Sequence, residues 1–408
     1  MKFKLMLSLT VAFVAINAVA ETKKIVGWSL ERSLDRLMNS SEFVKATEEA
    51  SKASKSLTGA SRLPNPELEI GYTDEFSVQT GTEGFDRNAI ILSQRFPIAD
   101  LFYGNKISKN KYQASLLNAE DLKLNLKFQF SNLYYELQYK QALLDLSSKE
   151  LSLIKSGISK KGQKLVRFQN SLDKGKLNLI ESRVNIERMK IEEEIHELTA
   201  QIKTYLGLDE TISFSVTQIA ELPSASKLNP SSLENHPKVK QIDLKKKMLK
   251  MQISQQKLNR FGDIEISAFN QKEFVFSKPL DTRGALIKFT IPLWDWKNAN
   301  IDSLKYNEIE TNLKGIYLKK NLKSKQEIII EHYSHLLNIQ NLISSSKVPK
   351  ARKLMNKTIQ SYSVGQVSIL SLIDSYKEYI DSKKENLEVI FSGWKEIAEF
   401  EYYNGGNK

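Results

Sequence analysis

Arg95-Phe96-Pro97-Ile98-Ala99-Asp100 and Thr290-Ile291-Pro292-Leu293-Trp294-Asp295 are two versions of one junction. Each follows an alternating, strand-like segment and precedes a long helical pattern. A glycine turn follows each pattern: Leu172-Asp173-Lys174-Gly175 in the first half, Tyr362-Ser363-Val364-Gly365 in the second. Equivalent points lie about 190 residues apart, as an internal duplication requires. The two halves are residues 21–208 and 237–403. Residues 209–236, rich in Ser, Pro and Asn, read as a mostly irregular insertion between them, and 404–408 as a tail.

The helical patterns are unusually long. No proline occurs from Leu101 to Leu172, and Phe130, Leu137, Leu144, Leu151, Ile158 and Leu165 recur every seven residues, the period of a coiled-coil seam. About 70 residues at 1.5 Å each extend roughly 105 Å, too long for a globular domain and suited to a bundle or tube. Leu322, Ile329, Leu336 and Ile343 repeat the seam in the second half, and Pro349 predicts a kink or break. Return helices are expected over Leu177–Leu206 and Gln366–Tyr402, giving helical hairpins over 101–208 and 296–402. Shorter helices are expected over Leu30–Ser56 and Pro237–Arg260.

Four segments alternate with the period of a strand: about 66–76, 88–97, 262–270 and 283–293. Their apolar sets are Leu68, Ile70, Tyr72 and Phe76; Ile90, Leu92 and Phe96; Ile264, Ile266 and Ala268; Ala285, Ile287, Phe289 and Ile291. Charged residues such as Glu67, Glu69, Asp263, Glu265 and Lys288 occupy the other face. A half-buried soluble sheet gives the same alternation. Position between very long helices favours membrane strands instead, with lipid on one face and water on the other. Four strands cannot close around a pore, but three copies give twelve, an even number within the bacterial range.

Lys2 and Lys4, the apolar run Leu5–Ile16 and Ala18-Val19-Ala20 read as a secretory signal peptide over 1–20, a signal anchor being the alternative. The chain has no cysteine, so no disulfides stabilise it. Its net charge of +12 would suit nucleic acid, which an exported protein rarely meets. No Gly-rich phosphate loop or nucleophile elbow is present, so an enzyme is not expected, nor a cofactor. Glu331, His332 and His335 fall within one helical turn, but no further ligand is evident and no metal site is expected.

Three stretches carry a resemblance. Leu63-Pro-Asn-Pro-Glu-Leu-Glu-Ile70 resembles the entry to the first strand of TolC-like outer-membrane factors, especially the branch containing heavy-metal efflux channels. Ile291-Pro-Leu-Trp-Asp-Trp296 is similar to the family's strand-to-helix junction. Tyr362-Ser-Val-Gly-Gln-Val-Ser-Ile-Leu-Ser-Leu-Ile-Asp374 resembles the tip turn of its second hairpin. The resemblance implies a mainly α chain with a membrane β-barrel. It implies a homotrimer with four strands per protomer, a twelve-stranded barrel among outer-membrane lipid, and a coiled-coil tunnel in the periplasm of a Gram-negative cell. The partners would be a periplasmic adaptor and an inner-membrane pump, and the function passive efflux. Export of proteins in a type I secretion system is an alternative on the same fold, and a soluble periplasmic scaffold is one on another.

The family's archetype narrows its pore with acids six and nine residues after the turn glycine; here those positions are Ser371 and Asp374. Tyr362 matches a gate tyrosine, with a packed aromatic as the alternative, and Val367 replaces an arginine latch. The resemblance assigns adaptor docking to the turns, Gly175 with Lys174 and Lys176, and Gly365 with Val364. Pro97 and Pro292 mark the strand–helix junctions. Lysines and arginines crowd both tips: Lys155, Lys160, Lys161, Lys164 and Arg167 in the first, Lys347, Lys350, Arg352, Lys353 and Lys357 in the second. A solvated face and an acidic partner both fit that charge.

Overall fold

The computed structural model describes residues 26–40, 42–55, 63–75, 85–159, 171–212, 214–275, 278–294 and 296–406. The signal segment 1–20 and Lys160, Lys161, Lys164, Arg167, Phe76 and Asp295 lie outside them. The backbone order is β1 (Val26–Trp28), α1 (Leu30–Ser40), α2 (Glu42–Ser54), β2 (Glu67–Glu75), β3 (Phe85–Phe96), α3 (Ile98–Ser159), α4 (Ser171–Leu206), β4 (Phe214–Val216), α5 (Pro237–Leu258), β5 (Ile264–Val275), β6 (Lys278–Lys288), α6 (Asn298–Leu342), α7 (Val348–Ser363) and α8 (Ile369–Tyr403).

The four long strands form one antiparallel sheet in the order β2-β3-β5-β6. Register decides its chemistry. Leu68 pairs with Leu92, Leu92 with Ala268, and Ala268 with Ala285; Ile70 pairs with Ile90, and Ile266 with Ile287. Directly paired residues share a face, so every apolar set lands on the same side. That side is bare: Leu68, Ile70, Tyr72, Ile90, Leu92 and Ile287 are all at least half exposed. The opposite side carries Glu67, Glu69, Glu265 and Lys288, with Lys288 3.7 Å from Glu265. There Phe269 lies across Gly284, where a Cβ would meet its ring at 2.6 Å, the cover an aromatic gives to a strand glycine. Gln94 interrupts the apolar row opposite Ile266, and toward the far end of the strands the same face turns polar at Asn88, Asn270, Lys272 and Arg283.

The strands differ in extent from the sequence expectation. β5 runs on to Val275, past residue 270, and β3 starts at Phe85 rather than 88. β6 is displaced to 278–288, and residues 289–293 are not strand. The backbone turns at Gly262, φ +65, leaving no continuous partner strand opposite Thr290. The two proline junctions therefore diverge. Pro97 stands immediately before α3, and its carbonyl accepts the Leu101 N–H at 2.9 Å. Pro292 lies in an irregular step, and α6 begins only at Asn298, after Lys297 in the left-handed region at φ 52.

α3 spans 62 residues without interruption. Its seam residues Phe130 and Leu137 are fully buried, as are Leu322, Ile329 and Ile343 in the second half, within a few per cent. The disruption expected at Pro349 takes the form of a local change of helix type, and the helical path continues. A π-helical turn, Ile343–Lys347, precedes the proline, and α7 continues to Ser363. Proline removes a donor and crowds the preceding turn, and the wider turn absorbs both effects. Ser345 donates its hydroxyl to the Asn341 carbonyl at 2.6 Å in the same stretch.

The first hairpin turn needs a larger correction. Gly175 is not at a turn. It is the fifth residue of α4, and it is absent from the positive-φ glycines. The residues joining α3 to α4 are 160–170, outside the described set. Leu177-Asn178-Leu179-Ile180-Glu181 instead matches Leu370-Ser371-Leu372-Ile373-Asp374, 193 residues on. In that register Gly175 corresponds to Ser368, the N-cap of α8, and not to Gly365. Gly365 itself is a left-handed turn residue, φ +79. Its N–H meets the Tyr362 carbonyl at 3.1 Å, and the Gln366 N–H meets Ser361 at 2.9 Å, a Schellman closure.

The insertion 209–236 is more ordered than its composition suggests. β4 pairs in parallel with β1, joining it to the start of the described chain. The segment lies as a belt across the helices. Tyr134 on α3 donates to the Trp28 carbonyl at 2.6 Å and contacts the Thr217 hydroxyl at 3.0 Å. Gln138 holds the Thr217 carbonyl at 2.8 Å. Tyr333 on α6 donates to the Pro223 carbonyl at 2.5 Å, and Trp394 on α8 to Ala220 at 2.9 Å. The main core lies beneath, where Trp28, Leu37, Phe130, Tyr134, Leu137, Ile202, Leu206 and Phe214 meet. Two shorter helices, α1 and α2, replace the single helix expected over 30–56.

Candidate functional site

The tip of the second hairpin gathers most of the predicted positions. Val364 is exposed and caps α7, Gly365 closes the turn, and Ser368 opens α8 by accepting the Ser371 N–H at 3.3 Å. Such N-caps are favourable by about 1 kcal/mol. Tyr362 is half-buried beside a cluster of Val184, Met355, Ile369, Leu372 and Tyr376, so it packs as a core aromatic of the tip. Val367 is half-buried in the turn. The side chains of Lys155, Lys174 and Lys176 lie outside the described ones.

Ser371 and Asp374 are exposed on the same face of α8. That face continues. Glu378, Asp381, Glu385 and Glu388 follow at steps of three or four residues, which align along one side of a helix. Sequence reading isolated Asp374 and missed this lane, although its 3-4 spacing was available. Glu385 pairs with Lys347 in the π-helical turn, and this hydrogen bond raises the lysine pKa. Asp374, Glu378, Asp381 and Glu388 have no ion-pair partner among the described residues.

The belt tells which way the lane faces. Gly393, Trp394 and Phe400 meet it: Leu222 lies against Gly393, and Phe400 packs with Leu228. At about 100° per residue the centre of the acidic lane lies roughly 120° around the helix from that contact face. The lane is thus on the side of α8 turned away from the belt.

The basic residues of α7 behave differently. Lys350, Arg352, Lys353 and Lys357 are all exposed. On α6 and α8, His332 Nδ1 is 3.7 Å from Glu396, and His335 Nε2 is 3.9 Å from Glu331. Burial raises the Glu396 pKa. No group of three or more candidate ligands for a metal occurs among the described residues, and no described helix is long and apolar enough to cross a membrane.

A scan against protein-family models finds no match, and neither does a search of curated proteins. Solved structures do match. CusC, described for folding and transmembrane channel formation, superposes with a TM-score of 0.75 at 14% identity, covering 94% of this chain and 93% of that one. The open-state MtrE outer-membrane channel of Neisseria gonorrhoeae gives 0.74 at 12%, covering 92% and 88%. The outer-membrane protein VceC of Vibrio cholerae gives 0.75 at 12%, covering 92% and 96%. With these superpositions covering 92–94% of its length, the chain has the fold of the TolC-like outer-membrane factors.

Proposed function

We propose that the chain is one third of a passive exit duct in the outer membrane, conducting cargo delivered by an inner-membrane pump through a periplasmic adaptor. The observation that carries this reading is the sheet. The alternating apolar sets of its four strands share one exposed face, and its outer strands, β2 and β6, have no partner along their outer edges among the described residues. In lipid an unpaired strand edge costs several kcal/mol per unsatisfied group. Three copies joined β6 to β2 remove every edge and place the apolar faces outward. The belt then encircles the tunnel, and the acidic lane of α8 lines its interior. Three copies of Asp374, Glu378 and Asp381 would favour cations and repel one another where the tunnel narrows. The chain performs no chemistry in this scheme.

The turn at Val364-Gly365 and its counterpart in the first hairpin are the proposed docking points for the adaptor. The exposed lysines of α7 favour an acidic partner surface there, with binding that weakens as salt rises. Purified chain reconstituted in planar bilayers tests the duct. Detergent-dependent trimers with stepwise, cation-preferring conductance are expected; soluble monomers without conductance overturn it.

A further inference from the structure

Just below the belt, on the side facing it, a cleft of about 650 Å³ opens between α3, α7 and α8. That is within the size range of small-ligand sites. Its roof is the belt at Thr217, held down by Gln138, which is almost fully buried and donates to both the carbonyl and the hydroxyl of Thr217. Its floor is Ile380 with Tyr379, and Leu146 and Met355 add apolar wall. Around this rim stand Lys149, Arg352 and Lys383, opposed by Asp145 alone. None of these four charged groups forms an ion pair among the described residues.

We propose that this cleft binds a short peptide bearing two or more carboxylates. The charge count sets the number, since three cations and one carboxylate leave an excess of two. Arg352 offers the planar fork that takes a carboxylate in two parallel bonds, and the lysines act as point charges beside it. The apolar lining sets the class, because Leu146, Met355, Tyr379 and Ile380 offer contact area to a peptide and none of use to a compact inorganic anion. The apolar wall accommodates the side-chain methylenes. The site lies within one chain, so it stands or falls independently of conductance.

Calorimetric titration of the full chain in detergent with tri-glutamate, tri-lysine and inorganic phosphate tests this. Tri-glutamate should bind one per chain and weaken as salt rises. Arg352→Gln with Lys383→Gln should lower its affinity on the order of tenfold or more. Lys245→Gln with Lys257→Gln, which removes the same charge from α5, should leave it within about twofold. All variants change exposed or half-buried positions, and gel filtration identical to the parent confirms their folding. Absence of saturable tri-glutamate binding, equal affinity for phosphate, or indifference to Arg352 and Lys383 would each overturn the proposal.

Discussion

The return helices α4 and α8 descend from one pattern and have diverged in charge. In the register that aligns Glu181 with Asp374, the acidic lane of α8 (Asp374, Glu378, Asp381, Glu385, Glu388) meets Glu181, Asn185, Arg188, Glu192 and Ile195 on α4. Three of five acids are missing there, and Arg188 neutralises Glu192 at 3.2 Å. A duplication starts with equal halves. The difference therefore shows that a continuous negative lane is a property acquired or kept by the second half alone. It argues that the second hairpin sets the ion preference of the proposed duct. Asp374→Asn with Glu378→Gln and Asp381→Gln should lower the cation-over-anion permeability ratio on the order of tenfold, equivalent to about 1.4 kcal/mol. Neutralising Glu181 and Glu192 should change it far less. Reversal potentials under a salt gradient measure both, and equal effects would erase the distinction between the helices.

A second contrast lies at the belt. Each half fastens it with the hydroxyl of a buried tyrosine, Tyr134 on α3 and Tyr333 on α6, but the fastenings differ in redundancy. Beside Tyr134, Gln138 also grips Thr217. Tyr333 donates to Pro223 with no such neighbour described at that carbonyl. Tyr→Phe strips a buried carbonyl of its donor, worth about 1–3 kcal/mol. Tyr333→Phe is expected to loosen the belt more than Tyr134→Phe at Thr217, while Tyr134→Phe exposes the loss at Trp28. Denaturant melts give the stabilities, and proteolysis within residues 217–228 reports which end of the belt opens.

Much of this fold is legible in the sequence. The apolar sets of all four strands share a face because alternation has a period of two, and pairing preserves it. The seam at Phe130, Leu137, Leu322 and Ile329 was equally readable, since a seven-residue period has few other meanings. What failed were features set by neighbours in space. Phe289 and Ile291 continue the β6 pattern, but the turn at Gly262 ends the opposing strand. At Pro349 the location of the disruption was readable, and only its form, a π-helical turn, was not. β4 escaped notice because its pairing with β1 spans nearly the whole first half. At the candidate site, Asp374 was found by likeness to a known turn, whereas the rest of its lane needed the helix boundaries. The unpaired cations around the belt cleft come from α3, α7 and α8, and no local pattern joins them.

The Gly175 reading failed for a definable reason, and that reason makes a test. A glycine after Asp-Lys looks like a helix end, but only a positive φ would demand it. Gly365 has that φ and Gly175 does not. Neither has a neighbour within 4 Å of an added Cβ, so packing does not confuse the comparison. Gly365→Ala should cost about 1–2 kcal/mol through left-handed strain. Gly175→Ala should stabilise by about 0.5–1 kcal/mol, through helix propensity and a stiffer unfolded chain. Opposite signs in denaturant melts are the expected result, and two losses of equal size would return Gly175 to a turn.

The smallest expected effect concerns a buried charge. In the register of the two prolines, Glu150 on α3 stands where the second half has Ser345. Ser345 satisfies its hydroxyl on the Asn341 carbonyl, whereas Glu150 Oε2 is buried with no donor. Burial raises the Glu150 pKa, partly offset by Lys384 and reinforced by Glu187 and Asp381. A carboxyl with a raised folded pKa holds its proton more tightly in the folded chain. Its contribution is therefore most favourable below the unfolded pKa, near 4.3 for glutamate, and declines as pH rises through the folded value. Glu150→Gln removes that decline. The variant should melt above the parent at neutral and alkaline pH, with the gap closing as pH falls toward the unfolded pKa. A gap that instead widens in acid would mean that Lys384 outweighs burial, and that the first half holds Glu150 as an ion-pair partner.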